Sequence, residues 1–144
     1  MTIRRAAHFV PGANEKMLMK SLDTAADALI LDLEDAVTPE NKDSARVTVA
    51  SWLREVDFGR QERVVRVNPL DSPWFTKDIE ETMVTPPDSY LIPKVNNASE
   101  IAQIADLVSE HERLHGHVAG AVPVSYTHLR AHETREDRGW RRGR

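Results

Sequence analysis

The sequence predicts an α/β protein built on a parallel sheet. Two observations carry that prediction. Short β-branched or apolar runs alternate with amphipathic stretches, and each run gives way to turn-forming or polar residues, which is the pattern of successive βα units. The composition, 40% hydrophobic and 29% charged, is that of an ordinary globular domain.

The strands are expected at Ala7 to Val10, Ala28 to Leu33, Arg63 to Val67, Tyr90 to Val95 and Val118 to Val124. Asn14 is placed to cap a first helix carrying Met17, Leu18 and Leu22. Thr38 followed by Pro39 signals the start of a second. Its apolar residues Ala45, Val49, Trp52, Leu53 and Val56 fall three and four apart, forming one stripe that can pack on a sheet. A short third helix carries Phe75, Ile79 and Met83. The fourth begins near Ser99, buries Ile101, Ile104, Ala105 and Val108, and stops around Gly116, a residue suited to a left-handed cap.

With 144 residues the chain is long enough for one domain, or part of one, and short of the ~250 residues of a typical barrel. Zero cysteines exclude disulfides, thiolate catalysis and cysteine-ligated zinc, so any chemistry falls to oxygen and imidazole groups. No apolar run is long enough to span a bilayer and the start lacks the apolar core of a secretion signal; a soluble, cytoplasmic protein is the expectation. The net charge is −4, but Ser125 to Arg144 hold six arginines against three acidic residues, leaving −7 on the rest. An acidic body argues against general nucleic-acid binding, which needs a cationic surface.

In parallel α/β folds ligands gather at the carboxyl ends of the strands, where loops meet helix amino termini. Asp32, Glu34 and Asp35 form the densest acidic cluster at such an end. Carboxylates so grouped can hold a divalent cation directly or through its waters, cap the next helix, or pair with Arg66. Arg66 leaves a strand that otherwise reads Val64, Val65, Val67. Its planar fork suits a substrate carboxylate or keto-acid oxygen pair, and equally an internal salt bridge to the Asp32 cluster. Lys94 after Pro93 is a weaker candidate, for binding a phosphate or stabilising an enolate, against a plain solvated lysine. His8 reads as a hydrogen-bonded core or rim histidine in preference to a general base.

Read in order, the segments Phe9-Val10-Pro11-Gly12-Ala13-Asn14, Ala28 to Val37, Val65-Arg66-Val67-Asn68-Pro69 and Ile92-Pro93-Lys94-Val95 resemble the HpcH/HpaI aldolase and citrate lyase beta-subunit family of CoA-ester lyases. The resemblance covers residues 2–124, its amino-terminal half. It implies a (β/α)8 TIM barrel, here truncated to about four βα units plus a fifth strand. It also implies Mg2+, a homo-oligomer, and reversible cleavage of a carbon–carbon bond in a 3-hydroxyacyl-CoA of malyl, citramalyl or citryl type, or a related hydroxy acid. Arg66 then matches the arginine that binds the keto-acid part. The family's direct Mg2+ ligands, a Glu after the fifth strand and an Asp after the sixth, have no counterpart in this chain, leaving Asp32, Glu34 and Asp35 at most behind the metal's waters. Asn96 stands where many relatives have Glu. The chain by itself is expected to be inactive.

Residues 125–144 lose the periodicity and read as a non-native, disordered tail. Residues 125–134 resemble the translated read-through of a cloning adaptor, so the metal-like spacing of His128 and His132 is assigned no role. Two alternatives stand beside the lyase: a signalling receiver domain accepting a phosphoryl group in the Asp32 to Asp35 cluster, and a truncated product without function.

Overall fold

The computed structural model of the chain describes residues 6–127. Its elements run β1 (Ala7–Pro11), α1 (Glu15–Leu22), β2 (Ala28–Asp32), a 3-10 turn (Pro39–Asn41), α2 (Lys42–Glu55), β3 (Glu62–Arg66), α3 (Phe75–Thr82), β4 (Ser89–Ile92), α4 (Ala98–Leu114) and β5 (Val124–Tyr126). The five strands form one sheet in sequential order, every pair parallel. That is the arrangement of consecutive strands in a (β/α)8 barrel, in which each strand is followed by a helix before the next.

Local chemistry explains where the helices begin. Asn14 Oδ1 accepts a hydrogen bond from the Met17 amide at 3.0 Å, with Glu15 in the first turn and Lys20 in the last, both matched to the helix dipole. Asn97 caps α4 through the Glu100 amide at 3.0 Å, while the Glu100 carboxylate accepts from the Asn96 amide at 2.9 Å. Gly116, with φ 84°, turns the chain out of α4 in the left-handed region. Thr38 does not cap α2 with its side chain; Pro39 instead opens the 3-10 turn, and α2 proper starts at Lys42.

Alternation along the strands divides the sheet into two faces. Leu29, Leu31, Val65, Tyr90 and Ile92 join Leu18, Ala45, Val49, Trp52, Phe75, Ile79, Ile104 and Val108 in the main core between sheet and helices. Full burial of the larger aliphatic and phenyl side chains among these contributes about 1.5–3 kcal/mol each. Ala28, Ile30, Val64 and Leu91 form a separate small cluster on the other face. The Tyr90 hydroxyl, inside the main core, is satisfied by Thr82 Oγ1 at 2.7 Å.

The fifth strand departs from expectation. It lies at Val124–Tyr126, not Val118–Val124: Val118 is exposed, Gly120 has φ 87°, and Pro123 has no amide to give a ladder. Ser125 and Tyr126, assigned from sequence to the tail, stand opposite Leu91 and Ile92 of β4, and the Thr127 amide donates to the Ile92 carbonyl at 3.0 Å. The loop before β5 is gripped by Glu112 of α4, whose buried carboxylate accepts from the amides of Gly120 and Val122, each at 2.7 Å. His128, His132 and the remainder of the tail lie outside the described residues.

Candidate active site

Asp32 and Arg66 are the last residues of β2 and β3 and stand opposite each other in the register, so their side chains leave the sheet on the same face. They meet side-on: Arg66 Nε donates to Asp32 Oδ1 at 2.9 Å and Nη2 to Oδ2 at 2.8 Å. The same two oxygens accept from the amides of Glu34 (2.9 Å) and Ala36 (3.1 Å). Asp32 therefore folds its own turn and aligns the guanidinium at once. The internal salt bridge considered for Arg66 is present, yet it occupies only one edge of the fork. Among the described residues no group accepts from Nη1.

Glu34 completes the cluster. Its buried carboxylate accepts a hydrogen bond from Lys94 Nζ and lies 3.5 Å from Arg66 Nε. Lys94 holds φ 56°, a left-handed conformation uncommon for a residue with a side chain, and reaches Asp35 at 3.9 Å. The Phe9 ring lies 4.7 Å from Arg66 Cζ and stacks on the guanidinium. Burial opposes the charge on Arg66, but the hydrogen bonds and charge of Asp32, with Glu34 and Asp35 beyond it, hold its pKa above the ordinary value. The hydrogen bond to Glu34 does the same for Lys94.

These groups line a cavity of about 390 Å³ with Phe9, Leu91, Pro93 and Thr127. Its lining joins cationic and acidic groups to apolar ones, the character of a small-molecule site. Arg66, Glu34, Asp35 and Lys94 are brought together as the sequence suggested. His8 is not among them: it occupies the opposite phase of β1 from Phe9 and is exposed there, outside the core and without a side-chain hydrogen-bond partner among the described residues.

The described residues do not by themselves fit a metal centre. No group of three or more Asp, Glu or His among them could hold an ion. Asp32 is saturated by four donors, Glu34 is neutralised by two cations, and the Asp35 carboxylate is 72% exposed.

Two supports behind the site escaped the sequence reading. Lys42 Nζ donates to the carbonyls of Leu33 (3.1 Å) and Glu34 (2.8 Å), and burial lowers its pKa against the pull of Asp78 and Glu34. Arg46 Nε donates to Asp78 Oδ1 at 3.0 Å, and Asp78 Oδ2 accepts from the backbone and side-chain amides of Asn68 at 3.0 and 2.7 Å. The signal was available: Lys42, Ala45, Arg46 and Val49 fall three and four apart, which puts both cations on the buried stripe of α2.

Comparison with known proteins identifies the family. The sequence matches the HpcH/HpaI aldolase/citrate lyase family over residues 5–128. It is 41% identical over 106 residues to a (3S)-malyl-CoA thioesterase of Cereibacter sphaeroides, covering 74% of this chain and 37% of that protein. Identity to the citrate lyase subunit beta of Leuconostoc mesenteroides is 38% over 129 residues, 90% of this chain and 41% of that one. The chain thus spans about two fifths of these relatives. Among solved structures, a citrate lyase from Burkholderia xenovorans superposes with a TM-score of 0.74 at 23% identity, covering 87% of this chain and 40% of the other. CitE from Mycobacterium tuberculosis, in complex with magnesium, acetoacetate and coenzyme A, superposes with a TM-score of 0.58 at 30% identity, over 71% and 35%. The receiver-domain alternative falls with these matches. By its sequence, the chain belongs to the HpcH/HpaI aldolase/citrate lyase family.

Proposed function

We propose that the chain supplies the carboxylate-binding corner of a carbon–carbon lyase. The substrate would be a 3-hydroxyacyl-CoA of malyl, citramalyl or citryl type, or a related hydroxy acid, and the products a keto acid and an acyl-CoA or acetyl unit. The observation that carries the reading is the state of Arg66. Its Nε–Nη2 edge is fixed by Asp32, its Nη1 has no acceptor among the described residues, and it lines the cavity. A guanidinium held in this way is preorganised to bind the carboxylate of the keto-acid part without first losing its own rotamer freedom.

In such a cleavage the hydroxyl loses its proton and becomes a carbonyl, the carbon–carbon bond breaks, and its electron pair passes to the acyl fragment as an enolate that is then protonated. Arg66 would hold the part that leaves as keto acid. Lys94, its Nζ beside Glu34 and its side chain 53% exposed, would add positive charge at the cavity mouth. Phe9 and Leu91 would limit water near the bond that breaks. A relative is described with magnesium, acetoacetate and coenzyme A. For this protein Mg2+ would be held by groups outside the described residues, with Asp32, Glu34 and Asp35 no nearer than its waters. We expect the 144-residue chain alone to be inactive, and a complete protein to work as a homo-oligomer in the cytoplasm. Among the described residues no helix is long and apolar enough to cross a membrane.

The likeness to a malyl-CoA thioesterase favours a second reading, hydrolysis of the thioester. A protein carrying this segment together with the remainder of a family member, supplied with malyl-CoA, separates the two. Acetyl-CoA and glyoxylate indicate cleavage, while malate and free CoA indicate hydrolysis. No turnover of malyl-CoA, citramalyl-CoA or citryl-CoA by either route, with the wild-type protein folded, would overturn both.

A further inference from the structure

Lys42 and Arg46 stand one turn apart on α2, and both are buried. A buried ammonium is unfavourable unless its donors are satisfied. The partners of Lys42 are the carbonyls of Leu33 and Glu34, the two that set the path of the acidic turn after β2, and the Trp74 ring covers it at 5.2 Å. Arg46 reaches the end of β3 by way of Asp78, which holds Asn68 two residues beyond Arg66. One turn of α2 therefore fixes β2's end directly and β3's end through one intermediary. The Arg66–Asp32 pair bridges those same two ends.

We infer that Lys42 is a positioning residue for the Arg66 site: by fixing the Leu33 and Glu34 carbonyls it sets where the Asp32 and Glu34 carboxylates stand, and so how Arg66 presents Nη1 to a carboxylate ligand. The inference rests on the reading of Arg66 as a carboxylate clamp. It extends that reading to a helix side chain absent from the cavity wall.

The test uses the 144-residue chain, its arginine Nε–Hε resonances, and acetoacetate as probe. The Arg66 Hε signal, identified by its loss in Arg66→Lys, should exchange slowly in the wild type, where Asp32 accepts it, and should shift when acetoacetate binds. In Lys42→Met we expect it displaced and faster to exchange, with acetoacetate about tenfold weaker, the loss of a single well-placed interaction near 1.4 kcal/mol. Lys42→Arg restores two donors and should recover both readouts. Lys42→Gln, with its amide donors, should lie between, and decides the matter if Lys42→Met does not fold. A purely structural Lys42 would lower thermal stability while leaving the Hε signal and the affinity at wild-type values, and that result overturns the inference. If acetoacetate fails to bind the wild type although Lys42→Met still displaces the Hε signal, the clamp reading fails and the positioning role stands. If acetoacetate binds wild type and variants alike and the signal does not move, the clamp reading stands and the positioning role fails.

Discussion

Replacing Asp78 with alanine removes the carboxylate that ties three elements together. Asp78 is fully buried on α3, pairs with Arg46 of α2, and accepts two hydrogen bonds from Asn68 after β3. Burial pushes its pKa up, while Asn68 and Arg46 pull the other way, so the pair is not a large net gain relative to an apolar filling. Breaking it is another matter. Losing one partner of a buried pair costs about 3–5 kcal/mol. Arg46 keeps Asp43 at 3.0 Å and Glu81 at 3.9 Å, which places that loss near the lower bound. The stranded Asn68 donors add about 1 kcal/mol, giving about 3–4 kcal/mol in all. With a urea slope of about 2 kcal/mol/M for a domain of this size, the midpoint should fall by about 1.5–2 M. The double variant Arg46→Met/Asp78→Asn should cost less than the sum of its single changes by about 1 kcal/mol or more, since each single change strands the other's charge. An Asp78→Ala midpoint within about 0.3 M of wild type at unchanged slope would refute the account of α2 and α3 as joined through a buried pair.

Three further outcomes are expected. Gly12→Ala sets a methyl 2.9 Å from the Asp32 carbonyl oxygen and 3.1 Å from Ala45 Cβ; the overpacking should cost about 1–3 kcal/mol, seen as a lowered thermal midpoint, and an unchanged midpoint would show that the close approach of β1 to β2 yields readily. Lys94→Gly relieves the left-handed backbone at φ 56°, worth about 1–2 kcal/mol, but takes a donor from the buried Glu34 carboxylate at a cost of about 1–3 kcal/mol; stability should fall by about 1 kcal/mol or less, and a rise would show that the Glu34 contact contributes little. Burial raises the Tyr90 phenol above its usual value, outweighing the hydrogen bond it shares with Thr82. The unfolded chain therefore ionises first, and stability is lost as pH climbs above about 10. Tyr90→Phe should flatten the alkaline arm of a pH–stability curve, and an equal slope in both proteins would assign it to other groups.

The legible parts of the fold were those with a strong period or a chemical stop. The apolar stripe of α2, the Asn14 cap and Gly116 after α4 all speak through local geometry. The fifth strand did not, because Val118 to Val124 contains enough β-branched and small apolar residues to imitate a strand, while the pairing partners of Ser125 and Tyr126 lie on β4, far away in sequence. At the site, the place of Asp32 and Arg66 at the carboxyl ends of two successive strands was enough to bring them together, while Glu34 lies in the turn beyond β2. Sequence could not decide between a substrate clamp and an internal pair for Arg66, since only the side-on geometry shows that the pair leaves Nη1 over. Lys42 and Arg46 were hidden by their type: a charge on an apolar stripe is discounted unless its partners, two carbonyls and one aspartate, are known.

The opposition of Asp32 and Arg66 across β2 and β3 bears on assembly as well as on ligands. Parallel strands as apolar as Ala28-Leu29-Ile30-Leu31 and Val64-Val65 could slide by two residues and still bury the same faces. A slide in one direction would set Arg66 beside Ile30, and a slide in the other would leave Asp32, almost without solvent, facing Val64. Either way a charge loses its partner in the sheet, at a cost of about 3–5 kcal/mol, a large share of the stability of a small domain. The charge pair thus acts as an alignment key, rejecting the misthreaded sheet that hydrophobicity alone would accept.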